Sequence, residues 1–414
     1  MQTIIKNSVQ DTLWVTVLQG LNYLIPLFVW PYLIVVLGAE GFGIVGFALA
    51  FVQFLMLLVD YGFNLSATKQ IATASDREKI DHIASDTLAA KTLLLILAIL
   101  LGAGILCLPR FAPYRLAVVV LLPMLCGSVL FMQWFYQGTG NIRRLWIINS
   151  ACRLAIIPLT FVLVKQPTDA LLAVAIQSMA YSVSALVSFG WALHKRWLRL
   201  CCTSWRRIKE TMRQGLSLFV STATSSIYAM LLVVILGYFA ATQEVGLYSA
   251  VEKIIRVACY TLLLPVLQVC YPQISKMAVE NERQAQRWVR WLGIGLTAAM
   301  LVIGCVLFFG GEEIMRLLGK DYEGSAKLFR IMAFIPVLIA ISGVYGQLDL
   351  VAMGGEKHHR RFRNVYLVGA ALAIGMVIVA APQLTAVKMG YILLSVEMVV
   401  ALGMGLCAFI RHRA

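Results

Sequence analysis

The chain alternates between long apolar runs and short polar segments. Twelve runs reach about 20 residues, which is the length an α-helix needs to cross the hydrocarbon core of a bilayer. The pattern therefore predicts an all-α integral membrane protein with twelve transmembrane helices. The predicted apolar cores lie near 12–36, 43–66, 88–108, 116–138, 146–164, 169–193, 216–241, 246–270, 291–310, 328–352, 364–382 and 385–409.

Basic residues divide unevenly between the two sides of the membrane. If the spans alternate in direction, most of the 35 Lys and Arg residues fall on the side that holds both termini. Positively charged loops stay in the cytoplasm, so we expect both termini to be cytoplasmic. The most basic connection separates six spans from six. It predicts an N-terminal six-helix lobe over 1–198, a basic cytoplasmic linker over 199–214 and a C-terminal six-helix lobe over 215–414.

A weak internal repeat supports the division into halves. Leu37-Gly38 and Gly43 in the first half resemble Leu236-Gly237 and Gly246 in the second. Duplicated six-helix halves are typical of transporters, in which the substrate binds at the interface between the repeats.

Composition and charge narrow the class of protein further. Hydrophobic residues make up 60% of the chain and charged residues 13%, and the mean hydropathy is +0.83. Soluble domains carry about 25% charged residues, so a cytosolic enzyme or a secreted scaffold is excluded. The net charge of +15 lies in short loops between apolar runs. That placement indicates anionic membrane lipids as partners and not nucleic acid.

No motif for a cofactor or metal is found. Residues 41–46 read G-x-G-x-x-G, but membrane spans flank them, so we expect a tight turn and a close helix contact and no nucleotide site. His358-His359 lies among basic residues that would repel a metal cation. Because no P-loop is present, transport must draw on an ion or substrate gradient unless a partner supplies ATP.

Charged residues inside spans are the candidate binding residues. An Arg, Lys or Asp at a helix centre costs about 2.5–3.5 kcal/mol on insertion scales, so such a residue persists for a reason. Arg153 lies in the middle of the fifth span without an acidic neighbour within one turn, and Lys253 and Arg256 lie in the eighth. We expect these three residues to line one water-filled cavity that receives an anionic substrate.

Two carboxylates could couple transport to an ion gradient. Glu252 is four residues before Arg256, so the two can form an ion pair on one helix face that locks the helix or holds Glu252 ionised. Asp60, near the cytoplasmic end of the second span, has no basic residue within one turn. It is the better candidate for a proton carrier; the alternative is that it caps a helix or pairs with Lys69.

Two further features concern helix shape and aromatic residues. Pro26 and Pro31 lie in the first span and indicate either a hinge or a fixed kink. Trp134, Phe135 and Tyr136 lie at the cytoplasmic end of the fourth span, where we expect an interfacial aromatic belt in preference to a sugar-stacking surface.

Four segments resemble the O-antigen flippases of the polysaccharide transport family, within the multidrug, oligosaccharidyl-lipid and polysaccharide exporter superfamily. The segments are 30–43 (WPYLIVVLGAEGFG), 60–69 (DYGFNLSATK), 132–138 (MQWFYQG) and 245–256 (VGLYSAVEKIIR). The likeness extends over nearly the whole chain and is strongest over 20–75 and 215–276.

The resemblance implies a fold and an activity. It implies two six-helix lobes that form a V around a central cationic cavity, working by alternating access. Its substrate would be an undecaprenyl-pyrophosphate-linked oligosaccharide, moved from the inner to the outer leaflet of the bacterial inner membrane. A proton or sodium ion would drive export, with a polysaccharide polymerase and a chain-length regulator as neighbours.

The same resemblance assigns functional positions. Asp60, Lys69, Glu252, Lys253 and Arg256 match functional positions of the family. Lys69 stands where an arginine is expected, which keeps the charge but loses the bidentate fork of a guanidinium.

Two other functions remain open at this point. A drug or cation antiporter of the same superfamily should have mostly acidic buried charges, whereas Arg153, Lys253 and Arg256 favour an anionic substrate. A membrane polysaccharide polymerase or ligase needs a sizeable extracytoplasmic loop with catalytic groups. The longest such loop here, near 311–327, is short, so we expect a transporter without enzymatic activity.

Overall fold

The computed structural model describes the backbone of residues 2–354 and 356–413. Side chains are described over 25–216, 219, 230–271, 273–278, 280–322, 325–354, 358–381 and 383–411. This described part consists of α-helices with short 3₁₀ and π turns, and it contains no β-strand. The predicted all-α class is therefore confirmed.

The helices follow one another with short connections. The first nine are α1 Gln2–Asp60, α2 Phe63–Ala72, α3 Arg77–Leu106, α4 Arg115–Val120, α5 Leu122–Leu130, α6 Gln133–Gly138, α7 Ile142–Leu154, α8 Ile156–Leu163 and α9 Ala170–His194. The remaining seven are α10 Trp205–Phe239, α11 Thr242–Glu280, α12 Glu282–Leu317, α13 Ala326–Met332, α14 Ile335–Gly343, α15 Glu356–Ala380 and α16 Ala386–Arg413. A π-helical turn over Val344–Val351 continues α14.

The described residues contain nine helices that are long and apolar enough to cross a membrane, or ten if the pair Pro109–Val120 and Leu122–Gly138, bent by 49°, forms one span. All twelve predicted cores fall on helical segments, but the count of twelve stays a prediction. Two of those cores share the stretch Ile25–Ala72. A third, 216–241, lies on α10, where most side chains over 217–229 are outside the described set.

The chain divides into two compact units. The first contains Met1–Ile25 and Ile44–Ser226, and the second contains Pro26–Gly43 and Ile227–Ala414. This division differs from the predicted lobes in two respects: residues 26–43 pack with the second unit, and the first unit ends at Ser226 and not at 198. The assignment of residues to functional lobes stays a prediction.

A break at Gly38 divides α1. Gly38 has φ 63° and ψ −178°, and it is the residue with non-helical dihedral angles within Gln2–Asp60. Only glycine adopts such angles without a steric cost. The backbone stays helical through Pro26 and Pro31, so the hinge role assigned to them is not visible as a break. The turn expected at residues 41–46 is wrong, because those residues are helical and the chain bends at Gly38.

The predicted close contact of the glycine motif is present within the second unit. A Cβ atom added to Gly43 would lie 2.2 Å from the carbonyl oxygen of Thr242, and one added to Gly246 would lie 1.7 Å from that of Ala39. The two backbones can touch because both positions lack a side chain. Gly43 and Gly246 are also the corresponding positions of the internal repeat, so the contact joins equivalent points of the two halves.

The basic linker is only partly a loop. Residues 205–214 belong to α10, and the segment before them lies against the start of α3. The backbone N–H groups of Arg199 and Cys201 donate to Asp81 Oδ1 and Ser85 Oγ, each at 2.9 Å. These bonds fix the beginning of the linker to the first unit.

Candidate functional site

Three hydrogen-bonded side chains, two of them charged, follow one another along one face of α11 in the second unit. Glu252, Arg256 and Tyr260 are spaced four residues apart and therefore share a helix face. The Arg256 Nε donates to Glu252 Oε1, and its Nη1 donates to the Tyr260 hydroxyl at 2.8 Å. The Glu252 side chain is only 8% exposed and that of Arg256 19%. The predicted intrahelical pair is therefore present and extends to a tyrosine that sequence reasoning did not single out.

Lys253 faces an aromatic residue of α1. Its Nζ lies 5.5 Å from the ring centroid of Trp30, which packs edge-on against Phe42 at 6.1 Å. A cation over an indole face is a favourable cation–π arrangement. Trp30 was noticed only as part of the resemblance, since no spacing rule relates positions 30 and 253.

A second carboxylate belongs to the same region of the second unit. Glu397 of α16 is 3% exposed and lies within electrostatic range of Tyr248, Cys259 and Tyr260 on α11. Glu397 lies within the twelfth predicted span, and no spacing rule relates it to α11. Its position places two buried carboxylates and one guanidinium around the middle of α11.

The first unit contains an ion pair between neighbouring helices. Lys91 Nζ lies 2.9 Å from Asp60 Oδ1 and donates to the Ser128 carbonyl at 2.7 Å. The Lys91 side chain is fully buried, whereas that of Asp60 is 34% exposed. The alternative pairing of Asp60 with Lys69 is wrong: Lys69 is exposed in the last turn of α2, where its charge complements the helix dipole.

Arg153 lies on α7 of the same unit and is partly buried. Tyr181 of α9 is within electrostatic range of both Arg153 and Asp60. Tyr181 thus links the two predicted residues of the first unit. Because Lys253 and Arg256 belong to the second unit, the single cavity shared with Arg153 stays a prediction.

The charged side chains of both units include ion pairs, Glu252 with Arg256 and Asp60 with Lys91. Among the described residues, no group of three or more His, Cys, Asp or Glu side chains is placed to hold a metal.

The sequence matches the family model described as polysaccharide biosynthesis protein over residues 8–278. The chain belongs to this family. Among curated relatives, "Putative O-antigen transporter" of Escherichia coli (strain K12) is 30% identical over 371 residues, which is 88% of each chain. A protein of the same name from Shigella dysenteriae is 29% identical over 365 residues, covering 87% of this chain and 90% of its relative.

Two solved membrane-protein structures share the fold of this chain. An inward-facing multidrug resistance MATE family transporter of the MOP superfamily aligns with a TM-score of 0.73 and 15% identity, covering 95% of this chain and 94% of that one. The lipid II flippase MurJ, in an inward closed conformation, aligns with a TM-score of 0.68 and 13% identity, over 96% and 86%. The chain is a multi-pass membrane protein. The resemblance of its sequence to the O-antigen flippases is confirmed.

Proposed function

We propose that the chain is a flippase that moves undecaprenyl-pyrophosphate-linked O-antigen, or a related surface polysaccharide repeat unit, from the cytoplasmic to the periplasmic leaflet of the bacterial inner membrane. The observation that carries the proposal is the pair of relatives named as O-antigen transporters, each aligned over most of its length. Membership of the polysaccharide biosynthesis protein family supports the same class of substrate.

The basic residues supply the chemistry that such a substrate needs. A pyrophosphate group carries negative charge into the membrane, where an unpaired charge is costly. Lys253 and Arg256 in the second unit and Arg153 in the first are proposed to contact the pyrophosphate or acidic sugars. The guanidinium groups can bind phosphate oxygens with two parallel hydrogen bonds.

Coupling to a proton or sodium gradient is proposed for Asp60 and Glu252. Both carboxylates are held in ion pairs, with Lys91 and Arg256 respectively. A carboxylate whose basic partner moves away is left in poor solvation and takes up a proton or a cation more readily. In this proposal the ion pairs open and close as the protein alternates between its two access states. Both termini face the cytoplasm, and a polymerase and a chain-length regulator receive the exported unit.

A drug or cation antiporter is the second candidate, because the MATE likeness is as extensive as the MurJ likeness. That likeness concerns the fold alone at these levels of identity. The buried charged residues of the described chain also favour the antiporter, because five are acidic (Asp81, Asp86, Glu252, Asp349 and Glu397) and one is basic (Lys91). The relatives' names favour the flippase.

The proposal is tested in a strain that lacks the gene and carries variants on a plasmid. Arg153→Ala should abolish surface polysaccharide and cause lipid-linked repeat units to accumulate on the cytoplasmic leaflet, while the protein stays inserted and abundant. Arg110→Ala removes an exposed arginine of the same unit and serves as the control. Normal export by Arg153→Ala would show that Arg153 only packs, and normal export in the strain without the gene would overturn the proposed function.

A further inference from the structure

An apolar groove runs along the outside of α15 and α16 in the second unit. It encloses about 630 Å³ and is lined on α15 by a strip that includes Ala371, Gly375 and Val379. Cavities that bind small molecules have volumes of about 300–1,000 Å³ and are mostly apolar with a few polar groups. The groove therefore has the size and character of a ligand site.

Small residues leave room in the groove for one extended hydrocarbon chain. Ala371 and Gly375 are four residues apart, so they lie one above the other on the helix. A Cβ atom added to Gly375 would meet nothing within 4 Å. From 371 to 379 the helix rises about 12 Å, so the strip offers a narrow, extended track. Ile392, which is 2% exposed, forms part of the opposite wall on α16.

One charged residue lines the groove. Lys388 of α16 takes part in the lining, together with Tyr391. Within the described part of the chain, no ion pair of the Lys388 ammonium group is present. An ammonium group beside an apolar track inside a membrane fits an anionic headgroup whose lipid chain lies along that track.

We infer that this groove binds the isoprenoid chain of a polyprenyl phosphate lipid, with the phosphate group at Lys388. A lipid of this class has one chain and one anionic end, as the groove has one narrow track and one cation. A phospholipid carries two chains. The inference rests on the proposed function, in which the substrate is carried on a polyprenyl pyrophosphate. In the proposed topology Lys388 lies at the periplasmic end of α16, so the groove holds the lipid in the leaflet to which the substrate is delivered.

Photo-crosslinking of the full-length protein in nanodiscs tests the inference. The probes are a polyprenyl phosphate with a diazirine on its chain and a phosphatidylglycerol with a diazirine on an acyl chain, and the labelled peptides are mapped by mass spectrometry. We expect the polyprenyl probe to label the peptides of α15 and α16 in preference to other lipid-facing helices. Excess unlabelled polyprenyl phosphate should suppress this labelling more than excess phosphatidylglycerol does.

Matched variants locate the site. Lys388→Gln should weaken labelling about fivefold, the factor expected for one interfacial lysine facing an anionic headgroup, and Lys388→Arg should retain it. Gly375→Leu fills the track and should reduce labelling at least as much. Gly405→Leu is the control: Gly405 lies on α16 away from the groove lining, and an added Cβ there also meets nothing within 4 Å.

Even labelling of all lipid-facing helices, equal competition by phosphatidylglycerol, or equal loss in Gly405→Leu would overturn the inference. Transfer of lipid-linked oligosaccharide between leaflets is measured separately in proteoliposomes. If transfer is intact but the groove peptides are not preferentially labelled, only the lipid site is disproved. If the groove is labelled but no transfer occurs, only the proposed function is disproved.

Discussion

Asp60 and Lys91 are unequally exposed. The difference predicts which of the two substitutions lowers the free energy of unfolding more. Asp60→Asn keeps an amide oxygen that can accept from Lys91, but it removes the carboxylate charge that pairs with the fully buried ammonium group, which also donates to the Ser128 carbonyl. Removing one member of a buried pair costs about 3–5 kcal/mol, so we expect a loss of about 3 kcal/mol in the free energy of unfolding. Lys91→Met should cost less, because the one-third-exposed Asp60 can hydrate.

Thermal unfolding of the detergent-solubilised protein measures this asymmetry. The double variant Asp60→Asn/Lys91→Met should recover most of the loss, since neither charge of the pair remains. Asp76→Asn is the control, because its pair with Lys79 is exposed on both sides and such pairs contribute about 0–1 kcal/mol. Equal losses from Asp60→Asn and Lys91→Met would show that Asp60 is as poorly hydrated as Lys91.

Sequence reasoning found ionic pairs only where the spacing is local. Glu252 and Arg256 were predicted to pair because the helix brings i and i+4 together. Lys91 lies 31 positions after Asp60, and only tertiary packing brings α1 and α3 together. A lone lysine inside an apolar run was the one available signal, because such a residue needs a partner.

The prediction for the aromatic residues at the cytoplasmic end of the fourth span was wrong for a related reason. Trp134, Phe135 and Tyr136 are fully buried, and the Tyr136 hydroxyl donates to the Ser188 carbonyl at 2.6 Å. They form part of the core of the first unit and not an interfacial belt. Sequence position alone does not separate these cases, because both place aromatic residues at the end of a span.

At the scale of elements, the contact between α1 and α11 depends on two glycines. Gly246→Ala would place a Cβ atom 1.7 Å from the Ala39 carbonyl oxygen, so the helices must separate. Overpacking of this kind typically costs about 1–3 kcal/mol, and a backbone obstacle cannot move aside as a side chain can. We expect Gly246→Ala to lower the unfolding temperature and Gly43→Ala to do so as well.

Gly295→Ala on α12 is the matched control, since nothing lies within 4 Å of the added Cβ. Alanine is favoured over glycine in a helix by about 1 kcal/mol, so this variant should be as stable as the parent or more so. A Gly246→Ala protein with an unchanged unfolding temperature would contradict the close contact.

The existence and type of the helices could be predicted from hydropathy, but their breaks could not. Two prolines indicated a bend in α1, yet neighbouring residues in a membrane helix compensate for a missing backbone hydrogen bond. The bend lies at Gly38, whose φ of 63° is available to glycine at no cost. The extent of the linker was also missed, because α10 begins at Trp205 within the basic stretch.

At the scale of the whole molecule, two native cysteines test the proposed topology. Cys107 and Cys202 are both exposed, and the positive-inside rule places them on opposite sides of the membrane. In single-cysteine variants, an impermeant maleimide applied to spheroplasts should label Cys107 and leave Cys202 unlabelled. Everted vesicles should give the reverse result. Labelling of Cys202 in intact spheroplasts would invert the proposed orientation.

Transfer of a lipid-linked oligosaccharide between leaflets tests the central claim most directly. Purified protein is reconstituted into liposomes that carry a fluorescent polyprenyl-pyrophosphate-linked repeat unit, an ion gradient is imposed, and an impermeant quencher reports the exposed fraction. We predict that the parent protein raises this fraction above that of protein-free liposomes. Arg290→Gln, which changes an exposed arginine and serves as the control, should do the same, and Arg256→Gln should not. An exposed fraction equal to that of protein-free liposomes, together with gradient-driven uptake of a cationic drug by the same vesicles, would contradict the flippase and assign the chain to drug export.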